Sequence, residues 1–191
     1  MEKLAEKKKA ILESMLELVK ENGFHGTPMS LVAKKAGVAA GTIYHYFASK
    51  DTLICELHAV LKKQMLDAIL RDDREDLDFQ ERFYFLWTNH FYFYIQYPDA
   101  LYFMEQYVNS PYNSRTTPHQ DERFQSVVLN LFKVGVETGV LRPMNHLLLS
   151  AMVHGTIITA AKIHLSGRMH ICGEELKQIF QIVWNGIKND N

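Results

Sequence analysis

An all-α fold is predicted for this chain of 191 residues, with a small N-terminal head of three helices and a larger C-terminal helical domain, about nine helices in all. Apolar residues recur at helical spacing through most of the chain, and no segment alternates convincingly with the period of a strand. Glycine-centred stops divide the N-terminal part into short helical pieces. Hydrophobic residues make up 47% of the chain, which is enough for a substantial core.

The first helix is expected from about Leu4 to Asn22, because Ile11, Met15 and Leu18 share one face at helical spacing. Gly23 follows, and glycine tolerates the left-handed backbone that commonly ends a helix. This helix should pack across the next two as the third member of a small bundle.

Two short helices around a glycine turn are predicted between residues 27 and 47. Thr27 is suited to cap the first of them, with Pro28 at the first helical position. Gly37 ends that helix, and a second short helix follows to about Phe47. Ile43 and Phe47 lie four residues apart, so they share a face and can anchor the second helix. This arrangement is the helix-turn-helix pattern, whose second helix enters the DNA major groove.

Six further helices are expected from periodicity and from stop signals. Ser49 and Asn145 are suitable N-caps, and Tyr97-Pro98 breaks an aromatic-rich helix because the residue before proline avoids helical geometry. Gly139 ends another. The expected ranges are about 50–70, 79–96, 121–138, 145–167 and from 173 onward, and a short helix is expected between the Tyr97-Pro98-Asp99 break and about Val108.

Local charge is more informative than the net charge of −1. The segment from Asn22 to Lys50 contains no Asp or Glu but includes Lys34 and Lys35, which suits phosphate contact. The alternative is that these lysines only solvate a helix face. Two distant cysteines, no signal peptide and no apolar run of bilayer-spanning length predict a cytoplasmic protein without a membrane partner.

No enzymatic or metal site is predicted. The chain lacks a glycine-rich phosphate loop, an HExxH motif and a nucleophile elbow. Its nine histidines do not form pairs four residues apart that would hold a metal on one helix. We therefore expect no cofactor, no metal and no catalysis, and an enzymatic or small-molecule-binding module is only a distant alternative.

The run from Ala33 to Leu53, AKKAGVAAGTIYHYFASKDTL, resembles the N-terminal domain of the TetR/AcrR family of bacterial transcription regulators. The Ala-Gly-Val turn, Gly-Thr-Ile-Tyr and Tyr-Phe-x-x-Lys-x-x-Leu carry the resemblance through their order and spacing. It implies a DNA-binding domain over residues 1–49 and an effector-binding and dimerisation domain over residues 50–191.

The resemblance also implies roles in DNA binding. Tyr44, Tyr46 and Lys50 would contact phosphates, and Thr42 would read a base edge or a thymine methyl. The other residues expected at the interface lie on the exposed recognition-helix face or at the start of the preceding helix: Ala40, Gly41, His45, Thr27 and Ser30. Ala39 and Ala40 replace the commoner capping serine and longer polar residue, which weakens the cap and shifts specificity toward DNA shape.

An aromatic-rich stretch over residues 79–107 has two interpretations. Similar regulators hold an effector between their middle helices, and mixed aromatic and polar linings are typical of ligand sites. The alternative is that these rings simply fill a large core. The residues expected to line such a pocket are Trp87, His90, Phe91, Tyr94, Met104, Tyr107, Phe132, Met152 and Thr156.

By resemblance, the chain is expected to be a homodimeric, ligand-responsive repressor of a palindromic DNA operator. The last two helices would form the dimer interface, because their small and apolar faces have no other obvious partner. A small apolar or aromatic effector would release the DNA. The alternative is an activator, or a DNA-binding regulator without a small-molecule ligand.

Overall fold

A computed structural model describes residues 2–113 and 125–190 of the chain. Within these residues it contains nine α-helices and no strand, which confirms the predicted fold class; the pairing of Leu141 with Lys188 is an isolated bridge. A single π-helical turn, Gln125–Leu129, precedes the seventh helix. The helices are α1 Glu2–Asn22, α2 Met29–Lys35, α3 Ala40–Tyr46, α4 Lys50–Ile69, α5 Phe79–Gln96, α6 Pro98–Val108, α7 Asn130–Glu137, α8 His146–Leu165 and α9 Gly173–Ile187.

The described residues form two compact units. The first unit contains residues 2–62 and 99–113, and the second contains residues 63–98 and 125–190. Helix α4 therefore begins in the first unit and ends in the second. The functional boundary between residues 49 and 50 stays a prediction, since compactness does not say where a function resides.

The helices of the head begin and end close to the predicted positions. Gly23 adopts φ 67° and Gly37 adopts φ 66°, so both glycines occupy the left-handed region that ends a helix. Helix α1 packs on α2, and α2 packs on α3. Their shared core includes Ile11, Val32 and Ile43, each with no exposed surface.

Thr27 does not cap α2, contrary to the sequence prediction. Pro28 is the N-cap residue, and no side chain caps this helix. The Thr27 hydroxyl instead lies 2.8 Å from the carbonyl oxygen of Gly23 and 3.2 Å from that of Leu18. The last carbonyl groups of a helix lack partners within it, so Thr27 serves the end of α1 rather than the start of α2.

Helix α6 belongs to the same compact unit as the head. The side chain of Gln106 donates to the carbonyl oxygen of Val19 at 3.2 Å, and the Lys20 ammonium lies 2.7 Å from the Asp99 carboxylate. Phe24 meets Phe103 edge to face, with 5.4 Å between ring centroids. These contacts tie α6 to the end of α1.

The second unit is built around α5 and α8. The Asp78 side chain caps α5 by accepting from the amide of Glu81 at 2.8 Å, which confirms the predicted start. Helix α5 packs on α8 and α9, and α7 packs on α8. The predicted start of the seventh helix near Asp121 lies outside the described residues. Aromatic rings fill much of this core: Phe79, Phe83, Phe132, Phe180 and Trp184.

One side of α7 leaves no room for a larger residue than glycine. A Cβ atom at Gly135 would lie 2.6 Å from a methyl carbon of Leu141 and 2.6 Å from the ring of Phe79. Gly135→Ala is expected to lower the free energy of unfolding by about 1–3 kcal/mol, measured by chemical denaturation. Gly41→Ala is the control, because a Cβ at Gly41 meets nothing within 4 Å. Equal stability of the two variants would contradict this packing.

Helix α8 is apolar around most of its circumference. By length and composition alone it could cross a membrane, contrary to the prediction that no apolar run is long enough. Leu149, Val153 and Ile157 are buried within the unit, whereas Leu148 and Met152 are exposed. An apolar helix with one buried face and one exposed face is equally suited to pack against a second protein surface, so this property alone is weak evidence for a membrane.

Candidate nucleic-acid interface and ligand cavity

Helix α3 presents one exposed face from a well-anchored base. Ile43 and Phe47 have no exposed surface, as their spacing predicted, and they hold the helix on the head. Tyr44 is 56% exposed. Ala40, Gly41 and His45 are also exposed, and Thr42 and Tyr46 are half-buried. The structure therefore brings the six α3 residues predicted for DNA contact onto one short helix.

The start of α3 is open, as the sequence predicted. Ala39 is the N-cap residue, and no side chain bonds the amides of the first turn. Because α3 also lacks an acidic residue in that turn, the partial positive charge at its start is uncompensated by its own side chains. A Cβ at Gly41 would meet nothing within 4 Å, so the backbone there is free to approach a phosphate or a base edge.

The structure does not support the predicted contact of Thr27 with DNA. Its side chain has no exposed surface, and its hydroxyl bonds the carbonyl oxygens at the end of α1. A duplex could not reach it without opening the head. Ser30 is exposed on α2, so its predicted contact with a phosphate stays a prediction.

Lys50 has a partner within the head. Its ammonium group donates to the carbonyl oxygen of Phe24, and partial burial lowers its pKa below the usual value despite the opposing effect of Asp51. This bond ties the start of α4 to the segment that joins α1 and α2. The predicted phosphate contact requires the ammonium to leave that carbonyl or to bond both groups at once.

Acidic residues of α1 partly neutralise the basic segment. Lys35 lies 2.7 Å from the carboxylate of Glu17, and this bond raises the pKa of Lys35. Lys34 is exposed at the end of α2. The absence of acidic residues between Asn22 and Lys50 therefore overstates the positive charge of the head, since the sequence does not show which face α1 turns toward α2.

A cavity of about 500 Å³ lies within the second unit. Its walls come from the end of α4, the middle of α5, the π-helical turn, α7 and α8. Three of the predicted effector residues line it: Trp87, His90 and Phe132. The volume falls in the range of small-molecule sites, and most of the wall is aliphatic or aromatic.

Six predicted effector residues are placed elsewhere. Phe91 and Tyr94 have no exposed surface and do not line the cavity. The Thr156 hydroxyl donates to the carbonyl oxygen of Val153, and Met152 points away with 60% of its surface exposed. Met104 and Tyr107 lie on α6 in the first unit, where the Tyr107 ring stacks on His58 at 3.8 Å. None of these six residues lines this cavity, because helical spacing does not tell which buried face meets a void, and their contact with an effector stays a prediction.

The sequence prediction did not include two polar residues of the cavity wall, Arg82 and His154. The Arg82 guanidinium makes two hydrogen bonds to the Asp73 carboxylate, at 2.7 and 3.0 Å. His154, on the otherwise apolar α8, lies 3.1 Å from the hydroxyl of Tyr94 and stacks on His90 with 5.0 Å between centroids. A histidine within an apolar helix is the signal that could have identified this wall.

Burial keeps His90 uncharged. Its ring is 6% exposed, and the pKa of His90 lies well below the usual value because burial disfavours the charged form and His154 adds repulsion. Unfolding restores the ordinary pKa of about 6.5. The unfolded chain therefore binds a proton that the folded chain excludes, so stability is complete above that value and falls as the pH drops below it.

His90→Phe should reduce this loss of stability in acid. Between about pH 7.5 and about pH 5.5, we expect the unfolding free energy of the variant to fall less than that of the wild type, by up to about 1.4 kcal/mol per pH unit. Thr88→Val is the control, since it removes a buried hydroxyl of α5 without removing a titrating group. Parallel pH curves for wild type and His90→Phe, measured by urea denaturation, would contradict the account.

No cluster of three or more His, Cys, Asp or Glu side chains suited to a metal occurs in the part of the chain that the structure describes. The arrangement offers two kinds of site: an exposed recognition-type helix and a mostly apolar cavity that is partly open to solvent. Together they are the arrangement expected of a helix-turn-helix protein with an internal cavity.

Family profiles match most of the chain. A profile described as the tetR family of bacterial regulatory proteins matches residues 11–57, and one described as a tetracyclin repressor-like C-terminal domain matches residues 78–188. The second match alone covers more than half of the 191 residues. The chain therefore belongs to the TetR family of bacterial regulatory proteins. Membership confirms the resemblance and places the chain among transcription regulators rather than enzymes.

Curated relatives agree over part of their length. The fatty acid metabolism regulator protein of Bacillus subtilis is 33% identical over 81 residues, which are 42% of each protein. An uncharacterized HTH-type transcriptional regulator of Haemophilus influenzae is 33% identical over 94 residues, 49% of this chain and 50% of that protein. The chain thus matches half or less of the length of these relatives.

Solved structures match over nearly the whole length. A TetR family regulator from Marinobacter aquaeolei superimposes with a TM-score of 0.88 at 24% identity, covering 98% of both chains. A second, from Shewanella, has a TM-score of 0.84 at 27% identity and covers 95% of this chain and 98% of its own. FadR of Bacillus subtilis, solved in complex with stearoyl-CoA, shares the fold at 20% identity with a TM-score of 0.73, covering 93% of this chain and 95% of its own.

Proposed function

We propose that this regulator is a homodimeric, ligand-responsive repressor that binds a palindromic DNA operator through α3. The observation that carries the proposal is the exposed face of α3, held rigidly by Ile43 and Phe47. A recognition helix must stand clear of its own domain to enter the major groove, which is about 12 Å wide. Family membership supports the same function.

The exposed α3 side chains divide into two kinds of contact. Thr42 is suited to a base edge or a thymine methyl, and the open amides near Gly41 are suited to a close approach. Tyr44, Tyr46 and Lys50 would bond phosphates, which fix register without reading sequence. Because Ala40 offers no hydrogen bond, specificity would depend strongly on Thr42 and on DNA shape. His45 and Ser30 complete the proposed interface.

Dimerisation would use α8 and α9. Leu148, Met152, Gly155 and Thr159 follow one exposed stripe of α8 at helical spacing. On α9, Ile182 is 75% exposed, more than any other large hydrophobic residue of the described chain. Packing these faces against their copies would bury both, and the resulting two-fold symmetry matches that of a palindrome.

An effector in the cavity would act through α4. Ile69 at the end of α4 and Leu70 directly after it line the cavity, and the side chain of Asn89 on α5 donates to the carbonyl oxygens of Ile69 and Arg71. Because α4 is one continuous helix that begins next to α3, a ligand that moves its far end would also act on its start. A differential affinity of about 1–3 kcal/mol between the two states is enough to regulate binding.

A small apolar or aromatic effector is the class the walls favour. FadR shows that a protein of this fold holds a ligand with a long acyl chain. The alternative function is an activator, or a DNA-binding regulator without a small-molecule ligand. Binding of a ligand in the cavity would favour a ligand-responsive regulator over one without a ligand. Release of DNA when the ligand binds would favour a repressor over an activator.

The salt dependence of DNA binding tests the interface. The purified chain should bind the DNA upstream of its own gene. Lys50→Ala should lower the affinity for all DNA sequences alike and reduce the slope of log affinity against log salt concentration by about one unit. Lys177→Ala, at an exposed position of α9, should leave the slope unchanged. An unchanged slope in Lys50→Ala would remove Lys50 from the phosphate contacts, and no binding to that DNA would contradict the repressor.

A further inference from the structure

Two ring nitrogens on the cavity wall have no hydrogen-bond partner in the part of the chain that the structure describes. Trp87 and His90 lie three residues apart on α5, are 3% and 6% exposed, and both line the cavity. The Trp87 Nε1 and the His90 Nε2 are buried without a hydrogen-bond partner among the described residues. The large majority of buried side-chain polar atoms in proteins have at least one hydrogen-bond partner. Two exceptions on the wall of one cavity point to a partner that the described residues do not supply.

The types of these groups restrict the missing partner. The Trp87 indole N–H only donates, so it needs an acceptor, which an oxygen atom supplies. A neutral imidazole has one donating and one accepting nitrogen, so His90 Nε2 is satisfied by a hydroxyl in either tautomer. Because burial holds the pKa of His90 well below its usual value, this ring offers no positive charge to an anion.

The two charged side chains that line the cavity among the described residues, Arg82 and Glu75, are already compensated. Arg82 makes a two-pronged bond to Asp73, and its guanidinium also lies 3.5 Å from the carboxylate of Glu75. The Glu75 side chain is 85% exposed and is therefore largely solvated. Among the residues that the structure describes, neither a carboxylate nor an ammonium ligand would find an unpaired opposite charge in the cavity, and burying an unpaired ion is costly.

Aliphatic side chains form much of the remaining wall. Ile69 ends α4 and Leu70 follows it directly, Leu86 comes from α5, and Val153 and Ile157 come from α8. A space of about 500 Å³ with such walls suits an extended or flat apolar body.

We propose that the cavity binds an uncharged amphipathic compound, with an apolar body and a hydrogen-bonding oxygen that contacts Trp87 and His90. The class excludes free carboxylates and amines as preferred ligands. It rests on the proposed function only in taking this cavity as the effector site.

Direct binding of three compounds with the same alkyl chain tests the class. Calorimetric titration of the full-length chain, without DNA, with 1-decanol, decanoate and decylammonium should show 1-decanol binding at least about tenfold more tightly than either ion. Decanoate or decylammonium binding as tightly as the alcohol would overturn the proposal, and so would the absence of binding by all three.

Variants locate the oxygen. Trp87→Phe keeps an aromatic ring but removes the N–H donor. The affinity of this variant for 1-decanol should fall by about tenfold. His90→Phe is a second variant with the same expected loss. Thr88→Val is the matched control, because its hydroxyl is also buried and unpaired on α5 but Thr88 does not line the cavity. Unchanged affinity in both Trp87→Phe and His90→Phe would overturn the contact.

The two proposals fail separately. Binding of the alcohol to a chain that does not bind DNA would refute the repressor and leave the ligand class standing. DNA binding by a chain that binds decanoate more tightly than 1-decanol would refute the ligand class and leave the repressor standing.

Discussion

Met152→Glu is expected to convert the dimer into a monomer and to weaken operator binding by at least about 100-fold. Met152 lies on the exposed stripe of α8 with 60% of its surface accessible, one helical turn from Leu148. In a two-fold interface each substitution buries two carboxylates near each other without partners, which costs several kcal/mol. Separated heads also lose the effective concentration that links two half-sites, a factor of about 10²–10⁴.

Val108→Glu is the matched control for this prediction. Val108 is 61% exposed at the end of α6, far from α8 and α9 in the sequence. Sedimentation velocity and fluorescence anisotropy with labelled operator would measure mass and affinity. A Met152→Glu variant that stays dimeric, or a Val108→Glu variant that dissociates equally, would show that the interface lies elsewhere.

Phe47→Ala is expected to abolish DNA binding by unfolding the head. Phe47 has no exposed surface, follows the last turn of α3, and lies beneath the Lys8 ammonium at 5.7 Å from the ring centroid. Removing a buried phenyl ring costs about 3–5 kcal/mol. That loss is a large fraction of the 5–15 kcal/mol that stabilises a whole domain, and a three-helix head has little core to spare.

Tyr44→Ala separates loss of contact from loss of fold. Tyr44 lies three residues before Phe47 but is 56% exposed, so its removal should weaken DNA binding while the head stays folded. Hydrogen exchange would show fast exchange of α2 and α3 amides in Phe47→Ala and unchanged protection in Tyr44→Ala. Retained protection of the head in Phe47→Ala would contradict the anchoring role.

Local signals predicted the helices well where they were strong. Asp78 caps α5 and Tyr97-Pro98 ends it, so the predicted range of 79–96 agrees with the observed helix. Glycines with positive φ end α1 and α2 at the expected places. The start of α2 was less accurate because Thr27 had two possible partners, and its hydroxyl serves the carbonyls of α1.

The cavity was harder to predict because it depends on contacts between distant parts of the chain. Tyr107 and Trp87 belong to the same aromatic-rich stretch, yet Tyr107 stacks on His58 in one compact unit while Trp87 lines a cavity in the other. The pairing of Arg82 with Asp73 likewise joins α5 to the turn before it. Helical periodicity identifies buried faces, but it does not distinguish a packed core from a void.

Hydroxyl-radical footprinting of the DNA upstream of the gene tests most directly whether two α3 helices bind side by side. Side-by-side binding of two α3 helices should give two protected patches related by two-fold symmetry, with centres separated by about 10–10.5 base pairs, one helical turn. Both patches should disappear together in Met152→Glu. A single protected patch, or two patches that persist when the chain is monomeric, would contradict it.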